Sequence, residues 1–127
     1  MKSPIEPDRA LSTLRDLIQT PNAQPDMDEV RRFIQRAVRP NLPLDSFDEV
    51  FEDGMGNLAG RLKAPSHPQR PPLYLIAYAG SFPPETMADP YLPKGVDGAP
   101  FGQAGTCLWG RGTCEQKGAL EIGRAHV

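Results

Sequence analysis

Leu108-Trp109-Gly110-Arg111-Gly112-Thr113-Cys114-Glu115-Gln116-Lys117-Gly118-Ala119-Leu120 is the stretch on which the reading of the fold turns. Three glycines stand among an Arg, a Glu and a Lys, with apolar residues at both ends. Glycine at this density argues against a regular helix or strand, and the apolar ends bound the stretch too well for a linker. Alone it reads as a surface glycine loop with solvated charges. The same glycines would also let the backbone take positive φ and come close to a neighbour. The segments upstream favour the second reading.

The nearest of these is Leu73-Tyr74-Leu75-Ile76-Ala77-Tyr78, a continuous apolar run that predicts a strand buried on both faces of a parallel sheet. Before it, Ala64 to Pro72 is a proline-rich connector that holds His67. Further back, Phe47 to Glu52 and Leu58 to Leu62 flank Asp53-Gly54-Met55-Gly56-Asn57, which predicts a β-hairpin. At the amino-terminal end two amphipathic helices are expected. The first covers residues 9–19, with Leu11, Leu14, Leu17 and Ile18 on one face, Asp8 as N-cap and Pro21 as the stop. The second opens at Asp26 with Glu29 three residues on, as in a capping box. It carries Met27, Val30, Phe33, Ile34, Ala37 and Val38 and is expected to end at Pro40. Two helices, a hairpin and a buried parallel strand make an α/β class. In open sheets of that class the site lies beyond the carboxyl ends of the strands, here at Tyr78 to Pro84.

Composition narrows the function. The 127 residues are one domain's worth, 39% hydrophobic, with 15 Pro and 12 Gly that point to many loops. A net charge of −2 gives no basic footprint for nucleic acid. There is no apolar run of membrane-spanning length, and the opening Met1-Lys2-Ser3-Pro4-Ile5-Glu6 has no signal-peptide core. A cytoplasmic location, with no nucleic-acid or membrane partner, is expected. Cys107 and Cys114 fit a reducing compartment and have no zinc-ligand spacing.

Four segments, in order, resemble the amino-terminal part of the M20 family of metallopeptidases and deacylases, the group of acetylornithine deacetylase and succinyl-diaminopimelate desuccinylase. Leu17-Ile18-Gln19-Thr20-Pro21 resembles the end of that family's first helix. Residues 53–62, Asp-Gly-Met-Gly-Asn-Leu-Ala-Gly-Arg-Leu, resemble its Asp-x-x-Gly-Asn-Leu-x-Ala hairpin. Asp89-Pro90-Tyr91 and Val96-Asp97-Gly98 resemble the loop before its signature. Residues 109–118 resemble the signature itself, Tyr-Gly-Arg-Gly-x-x-Asp-x-Lys-Gly. The likeness runs from about Ala10 to Leu120. It implies the amino-terminal part of a zinc-exopeptidase-like domain over residues 1–120. It also implies a parent enzyme, a homodimer, that hydrolyses a linear amide bond of a peptide or N-acyl amino acid with zinc or another divalent metal as cofactor.

The departures from the family pattern bear on the chemistry. Aligned on Pro83, Tyr78 stands where the family has a metal-binding His, and Gly80 where it has the Asp that orients the imidazole. A phenol is a poor zinc ligand beside imidazole. Glu115 replaces the bridging signature Asp and keeps two carboxylate oxygens one methylene further out. The resemblance assigns the metal centre one residue of this chain, Glu115. Tyr78 and Gly80 would shape the pocket floor, and Arg111 and Lys117 would bond to nearby backbone and carboxylates. Two rival readings stand beside a hydrolase: a family-like protein that has lost the His–Asp pair and serves in binding or regulation, and a small free-standing domain.

Glu121-Ile122-Gly123-Arg124-Ala125-His126-Val127 does not continue the family pattern. Read back into codons it fits a common sequencing-library adapter with a stop directly after Val127. Residues 121–127 are therefore expected to be a non-native tail, and the chain an inactive amino-terminal fragment whose apolar run 73–78 would be left partly exposed.

Overall fold

The structure is a computed structural model that describes residues 7–63, 66 and 69–120. His67, His126 and the tail 121–127 lie outside the described residues. The chain is a small mixed α/β fold, with helices at the amino-terminal end and two antiparallel two-stranded sheets.

Helix α1 (Pro7–Gln19) opens on a proline, whose missing N–H costs nothing at a first helical position. Asp8 lies inside the first turn, where its charge faces the positive helix end, and is not the N-cap expected from sequence. Leu17 and Ile18 on its apolar face are buried. Helix α2 starts at Met27 with Asp26 as N-cap: one Asp26 carboxylate oxygen accepts from the Asp28 and Glu29 amides, both at 2.9 Å. Glu29 turns outward from the box and accepts from the Ala23 N–H at 2.7 Å.

Pro40 does not end α2, contrary to expectation. The α-helical turns Met27–Phe33 widen into a π turn, Ile34–Val38, in which the Arg39 N–H donates to the Ile34 carbonyl, and Arg39–Asn41 completes the helix. A proline ring crowds the carbonyl four residues back and offers no donor, and the wider turn relieves both conflicts.

The expected hairpin is present. Strand β1 (Glu49–Glu52) pairs antiparallel with β2 (Leu58–Arg61), Glu49 opposite Arg61 and Glu52 opposite Leu58. In the turn the Asp53 carboxylate accepts from the Met55 and Asn57 amides at 2.9 Å and from Asn57 Nδ2 at 2.7 Å. These bonds, the Asn57 side chain first, hold its pKa below the usual value. Glu52 joins the hairpin to α2 by accepting from Gln35 at 2.7 Å and pairing with Arg39.

Two further expectations are corrected. Leu73 to Tyr78 is not a buried parallel strand. It forms no regular structure, and Ile76 is 91% exposed. A strand needs neighbours for its N–H and C=O groups, and among the described residues none pairs with this run. Among the described residues the one parallel feature is an isolated bridge just beyond it, Ala23 to Ser81. The glycine-rich stretch, in turn, is more regular than its composition suggested. Leu108 and Trp109 belong to β4 (Thr106–Trp109), which pairs antiparallel with β3 (Lys94–Asp97). Thr113–Lys117 forms a π-helical turn that continues helically to 120. The glycines are confined to the corner between strand and helix and to the residue after Lys117, so both elements survive.

The core is formed by Leu17, Val30, Phe33, Ile34 and Ala37, with Val38, Leu58, Ala79 and Leu120 packed on its margin. Each of the larger buried side chains contributes about 1.5–3 kcal/mol through apolar burial.

Candidate functional site

The corner at Gly110 and Gly112 is where the glycine-rich stretch meets α1. A Cβ on Gly110 would stand 2.4 Å from Ile18 Cγ2, so the turn reaches the helix only because that atom is absent. Gly112 has φ +86°, a backbone that side-chain-bearing residues rarely adopt, and it lies over the Lys117 stem. The close approach inferred from the glycines is therefore present, and its object is the end of α1.

Lys117 sits at the centre of this contact, with no exposed surface. Its Nζ donates to the Thr20 carbonyl at 3.0 Å and to the Ile18 carbonyl at 3.3 Å. These oxygens lie at the negative end of α1, where helical carbonyls lack intrahelical partners and a cation is favoured. The Phe33 and Tyr91 rings lie over the ammonium, each with its centroid 5.3 Å away. Burial lowers the Lys117 pKa to about 8; Glu29 opposes that fall and Arg111 adds to it. Burial, followed by the Glu29 charge, raises the Tyr91 phenol, against an opposing effect of Arg111.

Arg111 connects this corner to the segment after Tyr78. Its Nε donates to the Phe82 carbonyl at 2.8 Å, and its backbone N–H donates to the Pro90 carbonyl. Its Nη1 lies 3.2 Å from Glu115 Oε1, an ion pair whose side chains are 20% and 32% exposed. Arg111 and Lys117 thus bond to backbone and carboxylate, as expected from sequence. Glu115, the residue assigned to a metal, has a guanidinium as its partner. Among the described residues no group of three or more His, Cys, Asp or Glu side chains comes together. A single carboxylate paired with an arginine does not make a site for zinc, which takes three or four protein ligands.

Tyr78 and Gly80 meet on Gln24, whose Nε2 donates to the Tyr78 hydroxyl. A Cβ on Gly80 would stand 2.9 Å from Gln24 Cγ and Nε2, so Gln24 occupies the space a side chain at position 80 would need. Beneath lies a polar knot that sequence reading missed. Asn22 is fully buried, its Nδ2 donates to the Ala79 carbonyl, and its Oδ1 accepts from Ser81 Oγ, both at 2.8 Å. The Gln24 N–H donates to the Ser81 carbonyl at 2.8 Å and the Ser81 N–H to the Asn22 carbonyl at 2.9 Å. No local pattern marks Asn22, because its partners lie nearly sixty residues away. Cys107 on β4 and Cys114 in the terminal turn are free thiols. No helix among the described residues is long and apolar enough to cross a membrane.

No protein-family model, no curated protein and no solved structure matches the chain.

Proposed function

We propose that the chain is the amino-terminal part of an M20-like amidohydrolase of the cytoplasm, a homodimer whose substrate is a peptide or an N-acyl amino acid. The observation that carries the reading is the Arg111 bridge. It supports a glycine-hinged acidic turn lying against the loop that leaves the apolar run, with Nε on the Phe82 carbonyl and Nη1 on Glu115. The order of the four motifs supports it as well. In this reading the residues present hold no metal by themselves, and Glu115 is the one ligand they would contribute. Arg111 orients the Glu115 carboxylate beside the Phe82 loop, and in this reading the remaining ligands and the general base would come from sequence downstream of residue 120. No hydrolytic step is assigned to the residues present here.

The contact of Tyr78 with Gln24 favours a second reading, a non-catalytic binding protein on the same frame. With Gln24 filling the space beside Gly80, one side chain bridges the positions of the missing His and Asp.

Amplification of the locus from source DNA, followed by metal analysis and amide-hydrolysis assays of the longer product, tests both. Bound divalent metal with hydrolysis of N-acyl amino acids supports the first. A longer product without either supports the second. A native codon series running through 121–127 refutes the adapter origin of the tail.

A further inference from the structure

We propose that Lys117 is a positioning residue, which sets the Arg111–Glu115 pair against the Phe82 loop by tethering the terminal turn to the end of α1. Four observations converge on it. First, Lys117 is a fully buried cation that donates to the Ile18 and Thr20 carbonyls and lies against the Phe33 and Tyr91 rings. It therefore has no free face to offer a ligand. Second, its own backbone N–H donates to the Gly112 carbonyl at 2.9 Å, the same oxygen that accepts from the Glu115 N–H at 3.2 Å. Third, Gly112 directly follows Arg111 and Lys117 lies two residues after Glu115, so this bond spans Glu115 and ties its backbone to that of Arg111. Fourth, Gly110 touches Ile18 on the other side of the corner. Among the described residues the turn is thus held to α1 at Gly110 and at Lys117, and of these Lys117 supplies the hydrogen bonds to the helix end.

The alternative for a buried cation is a merely structural one, in which Lys117 fills volume and the pair is held by Pro90 and Phe82 alone. The two alternatives differ in what happens to Arg111 when the charge is removed and the volume kept. Any consequence for catalysis rests on the hydrolase reading, but the positioning does not, and the test below needs neither metal nor substrate.

The test is hydrogen exchange by NMR on the full chain and on its Lys117→Met variant. The Val30 and Ala23 amides, bonded to Asp26 and Glu29, report that the helical core is intact. With that core intact, the Arg111 Nε–H of the variant is expected to exchange about tenfold faster or more, as the local opening it reports becomes easier. Unchanged protection of Arg111 Nε–H in a folded variant would overturn the proposal. Should the variant not fold, the unaltered chain decides. A single tether requires Arg111 Nε–H and the Glu115 and Lys117 amides to share one opening free energy. Separate opening of Arg111 would overturn it.

Discussion

Residues 17–37 and residues 73–78 both carry leucine, isoleucine and aromatic side chains, yet Ile18 and Phe33 are wholly buried while Ile76 is 91% exposed. The helices bury their apolar stripes because each provides a face for the other, and their backbone groups are satisfied within the helix. The run 73–78 has the composition of a core strand without the partners that strands require. Hydrophobicity alone does not decide burial; a matching surface and a place for the backbone hydrogen bonds do. Six consecutive uncharged residues that include Tyr74, Ile76 and Tyr78, exposed in this way, also make the run prone to aggregation.

The sharpest way to break this comparison is to shorten one side chain in each region. Phe33→Ala is expected to cost about 3–5 kcal/mol in chemical denaturation, the range for an aromatic removed from a packed core. Ile76→Thr is expected to stay within about 0.5 kcal/mol, as for exposed positions, and to lower light scattering at high concentration. Similar losses from both would remove the distinction. A smaller effect sharpens the contact between the glycine corner and α1. Gly110→Ala places a methyl against Ile18 and is expected to destabilise by about 1–3 kcal/mol, as overpacking does.

The next effect concerns pH. Lys117 titrates near 8 when folded and near 10.5 when unfolded, so between these values the unfolded state holds more protons. Stability is therefore expected to rise from pH 8 towards 10, by an amount on the order of 1–2 kcal/mol, and to be lost again as pH falls through 8. Tyr91 acts the other way, because its raised pKa is a stabilising contribution lost only above its ordinary value of 10. Denaturant midpoints at pH 7.5 and 9.5 in the unaltered chain and in Lys117→Met check this. A flat or falling trend in the unaltered chain would contradict the buried cation. The smallest loss expected from a residue that makes a defined contact is that of Asp26→Ala, about 1 kcal/mol for the lost cap of α2 in chemical denaturation.

The parts of this fold that were legible in the sequence are those set by neighbours in the chain. Asp26 accepts from amides two and three residues on, and Asp53 from amides two and four residues on, so cap and hairpin turn could be read directly. The inner parts of the two apolar stripes likewise need only the helical period, but Leu11 and Met27, placed on those stripes by the same spacing, are exposed. Pro40 misled because a π turn three-dimensionally resolves a conflict that the local rule treats as final. The β3–β4 pair was read as loop and signature, since glycines at its turn masked two short strands. At the candidate site, the glycines announced a close approach but not its object, which is Ile18, more than ninety residues away. The burial of Lys117 was not readable at all, because its cage comes from α1, α2 and the loop holding Tyr91.

A single NOESY experiment on the labelled chain tests the packed corner and the bare run together. The account predicts cross-peaks from the Lys117 Hε protons to the ring protons of both Phe33 and Tyr91, and no long-range cross-peaks from the Ile76 methyls. Lys117 Hε protons at solvent-exposed shifts without ring contacts, or Ile76 methyls with core contacts, would contradict it.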